Sequence, residues 1–249
     1  MFMSWEAFYD DVIDYQRNAE SPSFIWVFLV DAHMPFLPGD GYRTQSRLLT
    51  YLANLWLYAG NQDVLEGRMR SVLTEAYANT VRYVDAFLDR LTSEMAGDPL
   101  VVVHGDHGEE FGEHGNYGHG PHLYDENLRV PLVVGNGPAE TVSEPFSLRD
   151  LPDLVVDLAT GEGFDGLTSP YATAKNNDPK RAVRGRDWSY LWSTDGDELY
   201  RVDDGTQTEL DDPELRDVGR SIVRQWNEHE RECDRVDEAA RAVAASDAV

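Results

Sequence analysis

Lysine and cysteine are almost missing from this 249-residue sequence, and it has no long apolar run. With Cys233 alone, no internal disulfide can form and no knuckle of paired cysteines can hold a metal. Lys175 and Lys180 are the only lysines among 21 basic residues, leaving 19 arginines. The longest apolar run, Phe24-Ile25-Trp26-Val27-Phe28-Leu29-Val30, has seven residues, far short of the roughly 20 that span a bilayer. Met1-Phe2-Met3-Ser4-Trp5-Glu6 shows no basic region leading into an apolar stretch, so no signal peptide is visible and a cytoplasmic location is expected.

What the sequence has in excess is acid. Asp and Glu number 46, for a net charge of −25. Nucleic acid and anionic membrane surfaces would be repelled, which excludes both as direct partners. Acid spread along the chain with lysine nearly absent is the composition of a halophile protein. In molar salt the Debye length falls to about 3 Å and carboxylate repulsion is screened. Hydrophobic residues at 41% and aromatics at 11% support a packed core, in one sizeable domain or one domain with a small appendage.

Local patterning points to an α/β chain. Phe24 to Val30 and Leu100 to Val103 read as buried strands, and Val130 to Val134 as a third. Helices are expected over 44–59, from Glu66 to about Glu94, and over 147–159. The long helix carries one apolar stripe through Met69, Val72, Leu73, Ala76, Val81, Val84, Phe87, Leu88 and Leu91. The strand–helix alternation predicts a mainly parallel sheet flanked by helices. Beyond a polar linker at 171–181, Trp188–Trp192 and Glu198–Val202 predict a hairpin around Asp195-Gly196, and 213–245 a polar helix. Two domains are therefore expected, 1–170 and a small α+β subdomain over 182–249.

The histidines cluster. Five of seven (His104, His107, His114, His119, His122) fall within 19 residues, and His33 sits just past an expected strand. Ligands of open α/β sheets bind outside the carboxyl ends of strands. Asp106 and His107, flanked by Gly105 and Gly108, can both reach one divalent cation. The plain alternative is a glycine-rich surface loop of solvated histidines. For His104 a structural role is expected, and Glu109, Glu110 and Glu113 read as solvated carboxylates.

Asp106-His107-Gly108-Glu109-Glu110-Phe111-Gly112-Glu113-His114-Gly115, followed by Gly118-His119-Gly120 and Leu123-Tyr124-Asp125-Glu126-Asn127-Leu128-Arg129-Val130-Pro131-Leu132, resembles the sulfatase branch of the alkaline phosphatase superfamily. Asp31-Ala32-His33-Met34-Pro35-Phe36 resembles its D-x-H-x-P-[YF] segment. Tyr77 to Asp85 resembles the helix before its D-[HN]-G strand, and Ala182-Val183-Arg184 to Leu199-Tyr200 its small C-terminal subdomain. The resemblance covers most of 24–225. It implies hydrolysis of a sulfate ester, on a small molecule or glycan, with a divalent metal, Ca²⁺ or Mn²⁺, held by Asp106 and His107. It also implies that His33 donates to the oxygens of the sulfuryl or phosphoryl group, and that His119 serves the leaving-group oxygen. Relatives acting on phosphodiesters or phosphonates, or transferring phosphoglycerol, share the scaffold and stay open as alternatives, as does a non-catalytic anion- or protein-binding relative.

The family's C/S-x-P-x-R nucleophile segment, whose first residue becomes formylglycine in sulfatases, occurs nowhere in the 249 residues. Formylglycine cannot form in this chain, and Cys233, in Glu232-Cys233-Asp234-Arg235, is an ordinary thiol. The expectation is therefore half a catalytic domain: a fragment, or one of two chains with the N-terminal half supplied separately. Such a chain alone would be inactive.

Overall fold

The computed structural model describes all residues except 1–3, 21, 61–66, 165, 178, 204 and 247–249. The chain divides into two compact units. The first comprises Met1–Val101, Glu109–Gly120 and Val134–Asn136; the second comprises Val102–Gly108, Pro121–Val133 and Gly137–Val249.

In the first unit, helix α1 (Tyr9–Asn18) buries Tyr9 and Ile13, one turn apart, against Tyr83 and Phe87 of the long helix α3 (Arg68–Glu94). Trp5 completes this cluster: its indole N–H donates to the Tyr83 carbonyl at 3.0 Å, and its ring lies 5.4 Å from Tyr83 and 5.7 Å from Phe87. Helix α3 follows the expected stripe with one exchange, because Val81 is exposed and Tyr83 is buried. The expected start at Glu66 lies outside the described residues. Helix α2 (Arg47–Tyr58) turns an unusual face inward, burying Thr50, Ala53 and Asn54 while Leu48, Tyr51, Leu55 and Tyr58 are exposed. The reason is a polar clamp. Asn54 Oδ1 accepts from the Phe36 backbone N–H at 2.7 Å, and its amide donates to the Thr50 carbonyl at 2.9 Å. Strands β2 (Glu110–Phe111) and β3 (Tyr117–Gly118) form a short hairpin inside the stretch expected to be loop.

The segment Phe24 to Val30 departs from expectation. It has no strand assignment, and Phe24, Trp26 and Phe28 are 74%, 76% and 64% exposed. Only Val27 and Leu29 pack inward, on the Trp5 cluster. The alternation is that of a strand, but among the described residues no neighbouring strand hydrogen-bonds to it, so no sheet forms there.

Strands β1 (Val101–His104) and β4 (Leu132–Gly135) pair in a two-stranded sheet, where sequence patterning expects strands. The second unit continues through the short helix α4 (Asp125–Leu128) and α5 (Leu151–Thr160). It ends in a five-stranded antiparallel meander, β5 (Tyr171–Lys175), β6 (Arg181–Gly185), β7 (Trp188–Ser193), β8 (Gly196–Asp203) and β9 (Thr206–Glu209), with α6 (Pro213–Ser246) packed on it. Val183, Tyr190, Leu199 and Val223 form its core. The expected hairpin is β7–β8. The expected linker is instead strand β5 and its turn into β6, because Tyr171, Thr173 and Lys175 pair with Gly185, Val183 and Arg181. The molecule combines helices and sheets as an α/β protein. Among the described residues its sheets are small, and β2–β3 and the β5–β9 meander are antiparallel rather than part of one broad parallel sheet.

Candidate active site

In the first unit, the loop after Val30 is tied down twice. The His33 backbone N–H donates to the Val30 carbonyl at 3.0 Å, and Phe36 is clamped by Asn54. Phe36 then packs against Tyr77 of α3 and Phe111 of β2, with ring centroids 5.3 Å and 5.9 Å away, while Tyr77 and Phe111 are 5.1 Å apart. Three mutually packed rings thus fix the loop against the hairpin. The consequence is that His33 and His119 meet, their rings 5.1 Å apart and inclined at 62°. Just upstream, burial pushes the Asp31 carboxyl above the ordinary carboxylate range, against the lowering effect of a backbone N–H from Trp5.

Both rings are held through Nδ1. His33 Nδ1 lies 2.7 Å from the Met34 carbonyl oxygen. A carbonyl only accepts, so Nδ1 carries the hydrogen. His119 Nδ1 lies 3.2 Å from Glu109 Oε2. Glu109 and Glu110, expected to be solvated, are buried, and Glu113 pairs with Arg70 at 3.3 Å while accepting from the Phe111 N–H. The Tyr77 hydroxyl is pushed up, first by burial and then by the Glu109 charge.

In the second unit, Asp106 and His107 sit together immediately after β1. The His107 backbone N–H donates to Asp106 Oδ1 at 3.0 Å. The Gly108 N–H donates to the Asn127 carbonyl at 2.9 Å, and a Cβ on Gly108 would collide with the Glu126 carbonyl, so only glycine permits this approach to α4. His107 Nδ1 faces the Gly108 carbonyl at 2.8 Å, which again puts the hydrogen on Nδ1. Asp106 and His107 are both exposed, and a carboxylate beside an imidazole is a donor pair that suits a divalent cation. His104 Nδ1 is held by the Gly105 carbonyl at 2.9 Å, in keeping with a structural role.

One element escaped the sequence reading. Arg184 Nε donates to Asp125 Oδ1 at 2.6 Å, linking α4 to β6. Both residues lie in motifs of the resemblance, but 59 positions separate them and no local pattern marks the pair.

No curated protein matches the chain. Among solved structures it is similar to a candidate sulfatase from Bacteroides thetaiotaomicron VPI-5482, at 20% identity and TM-score 0.47, covering 92% of this chain and 56% of that one. It is also similar to a 2-O GAG sulfatase, at 19% identity and TM-score 0.43, with the same coverage of both chains. A third, solved in complex with its substrate D-glucosamine-2-N,6-O-disulfate, is 14% identical with TM-score 0.49, over 80% of this chain and 63% of that one. The chain thus spans 56% to 63% of the length of these structures. The sulfatase family model matches residues 1–161, and the chain belongs to the sulfatase family.

Proposed function

We propose that this chain contributes the metal-binding and leaving-group side of a divalent-metal-dependent hydrolysis of sulfate esters, on a small molecule or glycan. The observation that supports this reading is that His33 and His119 meet with both rings held through Nδ1, so that the roles proposed for them fall to Nε2. Asp106 and His107 would hold the metal, Mn²⁺ or Ca²⁺, which when bound supplies positive charge to the sulfuryl oxygens.

His33 and His119 act from Nε2. Because Nδ1–H is already committed in each, donation to a substrate oxygen requires the doubly protonated ring. His33 in that form stabilises the sulfuryl oxygens. His119 in that form hands its Nε2 proton to the departing alkoxide as general acid. The nucleophile would come from outside these 249 residues, from a longer form of the chain or from a separate one. A partner chain supplying it would complete the unit.

The test is thermal denaturation of the chain in molar salt with Mn²⁺ or Ca²⁺ added. A metal-dependent rise in Tm is expected, abolished in Asp106→Ala combined with His107→Ala. A rise that persists in the double variant, or no rise in the native chain, removes the metal assignment.

A further inference from the structure

We propose that Glu109 is a positioning residue for His119: its buried carboxylate holds the imidazole by Nδ1 and fixes Nε2 as the nitrogen offered to substrate. The inference deepens the reading of His119 given above and rests on it for its catalytic meaning.

The argument begins with register. In the β2–β3 hairpin Glu110 pairs with Gly118 and Phe111 with Tyr117. Continuing one place outward sets Glu109 opposite His119, the position of a directly facing cross-strand pair. The side chains use that placement, with Glu109 Oε2 at 3.2 Å from His119 Nδ1. Burial makes the contact asymmetric. The Glu109 side chain is 4% exposed and that of His119 is 33% exposed, so the acid is the fixed member and the ring reaches outward from it.

The other histidines sharpen the point. His33, His104 and His107 each have Nδ1 against the carbonyl of the following residue. His119 is held instead by a side chain ten positions away, which makes its orientation depend on the hairpin. The turn that closes the hairpin uses Gly112 at φ +99° and Gly115 at φ +74°, and Gly118 beside His119 sits at φ +89°. These are left-handed backbone conformations that glycine adopts without strain. The glycine spacing therefore serves to bring Glu109 and His119 face to face. Tyr77, whose hydroxyl is raised first by burial and then by the Glu109 charge, packs on Phe111 of the same hairpin.

The experiment is long-range ¹H–¹⁵N NMR of the chain with ¹⁵N-labelled histidine, in molar salt and without metal or substrate. His119 in the native chain should show a proton-bearing Nδ1 and a lone-pair Nε2. Glu109→Ala should lose that single tautomer, giving a mixture or the Nε2–H form, while the His33 signals stay fixed and report an intact unit. Glu109→Gln, whose amide carbonyl can still accept, should restore the native pattern. If Glu109→Ala does not fold, Glu109→Asp serves instead, because one methylene fewer withdraws the acceptor from Nδ1 and the same loss is expected. An unchanged His119 tautomer in Glu109→Ala, or in Glu109→Asp, overturns the proposal. Because no metal or turnover enters this measurement, its failure is separate from failure of the metal assignment, which the Tm experiment alone decides.

Discussion

The carboxylate of Asp125 and the guanidinium of Arg184 form an ion pair in which Nε donates to Oδ1 at 2.6 Å and a second nitrogen lies 3.4 Å from Oδ2. The Asp125 side chain is 2% exposed and that of Arg184 is 19% exposed, so water does little to screen the pair. Removing one partner strands a buried charge, which costs about 3–5 kcal/mol. Asp125→Ala or Arg184→Ala should each lower stability by that amount. The double variant should lose clearly less than the sum of the two. Denaturant unfolding in molar salt checks this, and additive losses would show that the two side chains act independently.

Gly219 lies within α6, where a Cβ would run into the ring of Tyr190, a fully buried residue of β7. Two effects oppose each other in Gly219→Ala. Alanine gains about 1 kcal/mol of helix propensity. Forcing a methyl into a closed contact costs about 1–3 kcal/mol. Packing should win, because the ring belongs to the core of the meander and cannot swing away. The expected result is a lower Tm for Gly219→Ala, and a raised Tm would mean that α6 does not press on Tyr190.

Asp197 sits where Arg220, Arg216 and Tyr190 converge. Arg220 Nε donates to Oδ2 at 2.7 Å and Arg216 donates to Oδ1 at 2.5 Å. The Arg220 hydrogen bond first, and then those of Arg216 and Tyr190, hold the Asp197 carboxyl below its usual value of 3.8. A carboxyl lowered in the folded state stabilises above its unfolded pKa. That contribution is lost as pH falls through the folded value. Tyr190 behaves oppositely: burial, reinforced by Asp197, pushes its hydroxyl up to about 12. Its contribution holds below 10 and fades as pH rises from 10 toward 12. Asp197→Asn should flatten the acid limb of the stability–pH curve below about pH 4, and an unchanged limb would place the acid sensitivity elsewhere.

Salt should act on the whole chain. With a net charge of −25, self-repulsion reaches farther as the Debye length grows from about 3 Å at 1 M to about 10 Å at 0.1 M. Circular dichroism is expected to show loss of structure in low-salt buffer and recovery in molar salt. A chain fully folded at about 0.05 M salt would count against halophile adaptation.

Much of the site is legible in the sequence because its signals are local. Asp106 and His107 are adjacent, glycines flank them, and a run of three valines ahead of His104 marks β1. The helices α2, α3, α5 and α6 were legible because their patterns, the apolar stripe of α3 above all, lie in neighbouring residues. The hairpin was not legible in the same way. Strands β2 and β3 have two residues each, too few for a period-two pattern to stand out from a glycine-rich loop.

By itself, the sequence determined the acidic character, the helices α2, α3, α5 and α6, the Asp106-His107 pair, the absence of a C/S-x-P-x-R segment and the family, because each rests on composition or on residues close together along the chain; helix α1 (Tyr9–Asn18) was not among them. Tertiary structure alone decided the rest. It brought His33 to His119 across 86 positions through the packing of Phe36, Tyr77 and Phe111, and it buried Glu109 and Glu110. It also left Phe24 to Val30 without a strand partner among the described residues and with Phe24, Trp26 and Phe28 exposed. An apolar alternation shows that a segment is suited to pairing, but a strand exists only when a second backbone supplies the hydrogen bonds.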